Sequence, residues 1–182
     1  MIVGIGIGVS LAVATIVVRV SRQPAAFRIE RSTLISAKPQ DVFPLVNDFH
    51  NWPGWSPWAK LDPKMVVTYD GPASGVGASY AWIGNKKVGS GRMTIEDSQA
   101  ARRVGLQLQF FSPLKATNMG EFKFEPAAQG TRVTWTMTGT RDFVAKLFAF
   151  FVDIEKMVGG DFEKGLAAMK AIAESKPASP TA

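Results

Sequence analysis

Residues 130–175 read GTRVTWTMTGTRDFVAKLFAFFVDIEKMVGGDFEKGLAAMKAIAES, and within them the apolar period changes once. In the first part Val133, Trp135 and Met137 point one way, and Arg132, Thr134, Thr136 and Thr138 the other, the alternation of a half-buried strand. Beyond Thr140 the spacing becomes helical: Val144, Leu147, Phe148, Phe151, Ile154 and Val158 form a stripe over residues 143–158. Gly159-Gly160 is expected to break that helix. Asp161 then supplies the N-cap of another, whose buried face carries Phe162, Leu166, Met169 and Ile172 or Ala173.

Upstream, residues 64–141 form a train of short strands. They cover 65–70 (MVVTYD), 77–83 (GASYAWI), 86–97 (KKVGSGRMTIED), 102–111 (RRVGLQLQFF), 115–125 (KATNMGEFKFE) and 130–140. Gly84-Asn85, residues 98–101, Ser112-Pro113 and residues 126–130 punctuate them, which is the pattern of a hairpin meander. Gly89 and Gly91 predict a bend or bulge. Before the meander, residues 27–37 alternate as a strand, with Ile29, Arg31 and Thr33 opposite Glu30, Ser32 and Leu34 and a slip near Leu34-Ile35. Val42, Phe43, Val46 and Phe49 follow at helical spacing. Pro39 suits the first helical position, and with Asp41 as N-cap Pro44 falls at N3, where its missing N–H is not needed. NWPGWSPWA (residues 51–59) reads as a compact turn or short helix. One strand, two helical segments, six strands and a long helix make an α+β domain whose antiparallel sheet curls around the last helix.

The 182-residue chain has no cysteine and one histidine, 46% apolar residues and a net charge of +6. This excludes a disulfide scaffold, a thiolate nucleophile, iron–sulfur or Cys-ligated metals and a multi-histidine metal site. His50 beside Asp48 forms the one pairing able to shuttle a proton, against a plain reading as a locally bonded turn residue. Glu96-Asp97 on a strand and Asp153/Glu155 on a helix do not face one another. Ser74, Ser79, Ser90 and Thr134 have no base in pattern with them, and Gly71, Gly75 and Gly77 precede no helix, so no phosphate loop is expected. No catalytic residue, metal or cofactor is assigned. Lys86-Lys87 and Arg102-Arg103 are isolated pairs rather than a phosphate track, which argues against nucleic acid as a partner.

Residues 1–18, MIVGIGIGVSLAVATIVV, carry only Ser10 and Thr15 as polar side chains, and charge begins at Arg19. At about 1.5 Å per residue this run crosses a ~30 Å hydrocarbon layer if Arg19 and Arg22 snorkel to the headgroups. A cleaved signal peptide would open with a basic segment, which this stretch lacks. Residues 1–20 are therefore expected to be a transmembrane anchor, 21–26 a juxtamembrane linker, 27–175 the folded domain and 176–182 a disordered tail. Four arginines and one glutamate over residues 19–31 give a net +3 flank, which orients the domain to the cytoplasm. Gly4, Gly8 and Ala12 recur every four residues, a small-residue face suited to a second transmembrane helix.

With NDFHNWPGWSPW after the first helix, WIGNKKVGSGRMTI mid-chain, TRVTWTMTG in the last strand and GGDFEKGLAAMK opening the final helix, the chain resembles the SRPBCC superfamily over roughly residues 27–175. Within it, the chain is most similar to small membrane-anchored bacterial members, from which it departs in lacking a lysine pair before the apolar run. The resemblance implies the helix-grip fold of START, Bet v 1 and polyketide cyclase-like proteins, with a deep cavity for hydrophobic ligands between sheet and helix. It also implies a single-pass protein of the bacterial inner membrane. In such a fold Tyr80, Trp82, Met93, Trp135 and Met137 would line the cavity, an adaptable aromatic and thioether surface. Trp52, Trp55, Trp58, Phe148 and Phe151 would form its mouth or lid, close to the membrane plane. The first expectation is thus a membrane-anchored, non-enzymatic protein that meets membrane lipid and holds a lipid, quinone or similar hydrophobic small molecule. An accessory subunit of a larger membrane complex, its cavity vestigial, is the alternative. A cyclase- or dehydratase-type enzyme is third.

Overall fold

The computed structural model describes residues 14–175. Strand β1 (Ala26–Ile35) leads into three single-turn helices, α1 (Pro39–Val42), α2 (Pro44–Asn47) and α3 (Trp52–Trp55), with tight helical turns at Phe49–Asn51 and Trp58–Lys60. Six strands follow: β2 (Val66–Asp70), β3 (Ser79–Ile83), β4 (Ser90–Gln99), β5 (Arg103–Ser112), β6 (Ala116–Ala127) and β7 (Gly130–Thr140). Helices α4 (Phe143–Phe151) and α5 (Ile154–Ser175) close the domain. All seven strands lie in one antiparallel sheet in the order β1-β7-β6-β5-β4-β3-β2. The meander runs outward from β7 to β2, and β1 pairs with β7 along its whole length. Curvature enters at β4, whose register shifts at Ser90/Gly91 and again between Ile95 and Asp97. The sheet wraps α5, as a helix-grip fold requires.

For the apolar residues burial follows the alternation read from the last strand: Val133, Trp135 and Met137 are buried in one core cluster with Phe162, Leu166 and Met169 of α5, and Trp135 stacks on Phe162; on the opposite face Thr136 is buried as well. Full burial of a side chain such as Phe162 contributes about 1.5–3 kcal/mol. The slip expected near Leu34-Ile35 does not occur. Ile29 and Ile35 are both buried and share one face of β1 with Arg31.

Three local expectations are corrected. Gly159-Gly160 does not end a helix; α5 runs through both. The chain breaks instead at Val152, which is extended, and Asp153 caps α5 by accepting from the Lys156 N–H at 3.0 Å. Pro44 does not sit inside a longer helix. Lys38 is the N-cap of α1, Pro39 takes its first turn as expected, and Pro44 opens α2, where neither proline removes a needed donor. The strand expected from residue 86 begins at Ser90, because residues 84–89 close a tight turn ending in Gly89 with φ of 66°.

Residues 14–22 are helical, with Val20 buried and Arg19 and Arg22 exposed, so the helix extends into the expected linker. Among the described residues no helix is long and apolar enough to cross a membrane. Gly4, Gly8, Ala12 and most of the apolar run lie outside the described residues, as does the 176–182 segment.

Candidate functional site

An aromatic wall divides the interior. Phe122 of β6 stacks on Trp135 of β7 at 4.7 Å, and Trp135 stacks almost parallel on Phe162 of α5 at 3.9 Å. The α3 turn pushes two indoles edge-on against this stack, Trp52 at 6.5 Å and Trp55 at 5.6 Å from Trp135. Their ring N–H groups donate to backbone oxygens of Val46 (2.9 Å) and Leu45 (2.7 Å), which locks both rings. α5 can approach this closely because residue 165 is glycine: a Cβ there would stand 3.0 Å from the Trp135 ring and 3.3 Å from Pro57.

Beyond the wall, toward β3–β5, lies a cavity of about 440 Å³. Tyr80 and Trp82 of β3, Met93 of β4, Leu106, Leu108 and Phe110 of β5, Gly120 of β6 and Trp135 and Met137 of β7 form its sheet side. Phe148 of α4 and Met157, Val158 and Phe162 of α5 form the opposite side, with Trp52, Ser56 and Trp58 at one end. Gly120 presents no side chain, and Gly91 lets the Trp82 indole lie across β4, where any Cβ would meet it at 2.5 Å. The Trp82 ring N–H donates to the Val88 carbonyl at 3.2 Å. Exposed apolar side chains of Leu114, Phe148 and Met157 mark the mouth, beside Lys86 and Lys87. This size lies within the range of small-molecule sites, about 300–1,000 Å³.

All five residues expected in the cavity lining stand there: Tyr80, Trp82, Met93, Trp135 and Met137. Of the expected mouth residues, Trp52, Trp58 and Phe148 line it and two do not. Trp55 is 1% exposed and belongs to the core behind the aromatic wall, because its N–H is tied to Leu45. Phe151 is 70% exposed and turns to a shallow recess with Arg141 and Phe150. Sequence reasoning missed the β5 residues Leu106, Leu108 and Phe110, although their alternation from Val104 onward carried the signal. It also missed the lysines, which a turn at 84–89 brings to the mouth.

The chemistry inside is sparse. Burial pushes the Tyr80 phenol up to about 12, so it stays protonated near neutrality and can donate but not accept a proton. The lining contains no carboxylate and no imidazole among the described residues. His50 lies elsewhere: its Nδ1 is 2.8 Å from Asp48 Oδ1 and its ring stacks on Tyr69 at 4.1 Å, both at the surface. Among the described residues no group of three or more potential ligands could hold a metal ion. Asn118, buried on β6 beside Met137, keeps an Oδ1 without a hydrogen-bond partner.

The curved sheet, long gripping helix and apolar hollow define the helix-grip class, and the sequence agrees. Residues 26–174 match the family described as polyketide cyclase / dehydrase and lipid transport, and the chain belongs to that family, within the SRPBCC superfamily. Solved structures share the fold at low identity. A protein from Chromobacterium violaceum is 14% identical with a TM-score of 0.59, over 84% of this chain and all of its own. The di-domain ARO/CYC proteins StfQ, of the steffimycin biosynthetic pathway, and BexL, of the BE-7585A biosynthetic pathway, both reach a TM-score of 0.64. StfQ is 14% identical over 82% of this chain and 51% of its own; BexL is 16% identical over 87% and 53%. No curated protein matches the chain.

Proposed function

We propose that this protein is a non-enzymatic carrier that holds a lipid, quinone or similar lipophile in its helix-grip cavity, tethered to the bacterial inner membrane by its N-terminal apolar run, with the domain on the cytoplasmic side. The observation that carries the reading is the 440 Å³ apolar hollow, open at a mouth of exposed apolar side chains and lined without carboxylate or imidazole among the described residues. The family's description, which includes lipid transport, agrees with it. Residues 23–25, between the helix that ends at Arg22 and β1, make a short tether that would keep the mouth near the bilayer and raise its effective concentration there. The small-residue face at Gly4, Gly8 and Ala12 would pack a second transmembrane helix. Purified full-length protein, extracted into organic solvent and analysed by mass spectrometry, is expected to yield a lipophile in stoichiometric amount. A well-folded chain that emerges empty and refuses added lipophiles overturns the reading.

Two observations favour other readings. The exposed apolar surface of α4 would serve an accessory subunit as a protein contact, and co-purification of a partner in mild detergent with an empty cavity supports that role. The likeness to ARO/CYC proteins favours a cyclase- or dehydratase-type enzyme. Here the lining offers the protonated Tyr80 hydroxyl and no carboxylate or imidazole base among the described residues, so turnover would rest on positioning.

A further inference from the structure

Lys86 and Lys87 are the only charged side chains among the residues that line the cavity. Both are exposed at its mouth, and neither forms an ion pair among the described residues. Several other cations at the surface are neutralised: Arg31 by Glu155 and Glu163, Arg103 by Asp97 and Glu121, Lys164 by Asp161 and Lys170 by Glu174.

The turn that carries the two lysines is built rather than loose. Asn85 N–H donates to Asp62 Oδ2 at 2.7 Å, Lys87 N–H to Asn85 Oδ1 at 2.8 Å, Gly89 N–H to the Asn85 carbonyl at 2.8 Å and Gly84 N–H to the Gly89 carbonyl at 2.9 Å. The Trp82 indole ties the same turn to the cavity wall through Val88. Asp62, the nearest carboxylate in this network, spends its oxygens on the backbone N–H groups of Lys64 and Asn85. Two unneutralised cations are thus held at the rim of an otherwise uncharged apolar hollow.

We infer that the ligand is an amphiphile with an anionic head, a carboxylate or a phosphate, seated at Lys86 and Lys87 with its apolar body in the cavity; this rests on the carrier reading above. A charged head is strongly disfavoured among Trp, Met and Leu side chains and stays at the water-exposed end, where the ammonium groups are its counter-ions. The lysines therefore set both the ligand's class and its orientation.

The test uses the full chain in nanodiscs of neutral phosphatidylcholine, titrated with palmitate, hexadecyl phosphate and hexadecanol and followed by quenching of tryptophan fluorescence. At least one of the two anions is expected to bind about tenfold or more tightly than the alcohol, the scale of one charge-assisted hydrogen bond. In Lys86→Gln/Lys87→Gln that preference is expected to vanish through loss of anion affinity, and in Lys86→Arg/Lys87→Arg to remain. Whichever anion is favoured assigns the head as carboxylate or phosphate. Equal binding of all three, or a preference that survives in the glutamine variant, overturns the inference and leaves the carrier reading standing. Binding of none of the three overturns both.

Discussion

Arg31 shows how a cation can occupy the apolar face of a strand. It shares the concave side of β1 with Ile29 and Ile35, and its guanidinium lies across Gly159 of α5, bonded to Glu155 at 2.8 Å and Glu163 at 2.7 Å. A Cβ at position 159 would stand 2.2 Å from Arg31 Nη2. The alternation of residues 27–33 placed Arg31 on this face, but its partners, on a helix far along the chain, are invisible until strand and helix meet. On the outer side of β1, Glu30 accepts from the Thr136 hydroxyl at 2.8 Å and pairs with Arg28. These contacts, the Thr136 hydrogen bond first, hold the Glu30 carboxyl below its ordinary value of 4.5. A depressed carboxyl favours the folded state fully above the unfolded-chain value of 4.5, and loses that contribution as pH falls through the lower folded-state value. Chemical denaturation as a function of pH should therefore show Glu30→Gln less stable than wild type at neutral pH, the two converging as the medium is acidified. A gap that stays constant with pH would assign the loss to packing instead.

Glycine pairs inside a helix illustrate the limits of local propensity at the scale of an element. Each glycine lowers helix stability by about 1 kcal/mol relative to alanine, which is why Gly159-Gly160 reads as a stop. In α5 tertiary contacts override it: Gly159 admits Arg31, which bonds Glu155 before the pair and Glu163 after it, Gly165 admits Trp135, and the helix packs along β1. The real discontinuity, at Val152-Asp153, carried a cap residue in the sequence but no breaker, so periodicity alone ran across it. The strands fared better, since alternation and turn residues are local signals, and only the start of β4 moved by more than two residues, where lysines and a glycine belong to the turn. The three helical glycines are not equivalent. A methyl group added at Gly160 would have nothing within 4 Å, whereas one at Gly165 would face rigid rings. Gly160→Ala should raise unfolding free energy by up to about 1 kcal/mol, with a rise of a few degrees in Tm. Gly165→Ala, which overpacks the aromatic wall, should fall about 1–3 kcal/mol below Gly160→Ala in the same urea titration. Equal stability of the two variants would mean that the wall yields readily and does not define the cavity's edge.

For the molecule as a whole, the order of elements and the family resemblance made the helix-grip fold legible, whereas the hollow was not. Strand residues that line a cavity and those that fill one have the same chemical types; the difference lies in Gly120 and in how far the aromatic wall extends, which only the assembled sheet and helix determine. Helix α4 poses the remaining question at this scale. It buries no residue fully, and Val144, Phe148 and Phe151 are 56%, 49% and 70% exposed, a continuous apolar surface next to the cavity mouth. On the carrier reading that surface enters the bilayer while ligand passes. Val144 and Phe151 do not line the cavity, so replacing them separates docking from holding. Each large side chain withdrawn from an apolar phase forfeits about 1.5–3 kcal/mol, enough for at least a tenfold change. Val144→Ser/Phe151→Ser should therefore take up a fluorescent lipophile from vesicles about tenfold more slowly or worse, with its equilibrium affinity in dilute solution unchanged. Exposed positions of this kind alter stability little, so a lost affinity would expose a structural role for α4 rather than a docking one. An unchanged uptake rate would remove the bilayer from the account of this helix, and its apolar face would then have to be covered by another protein.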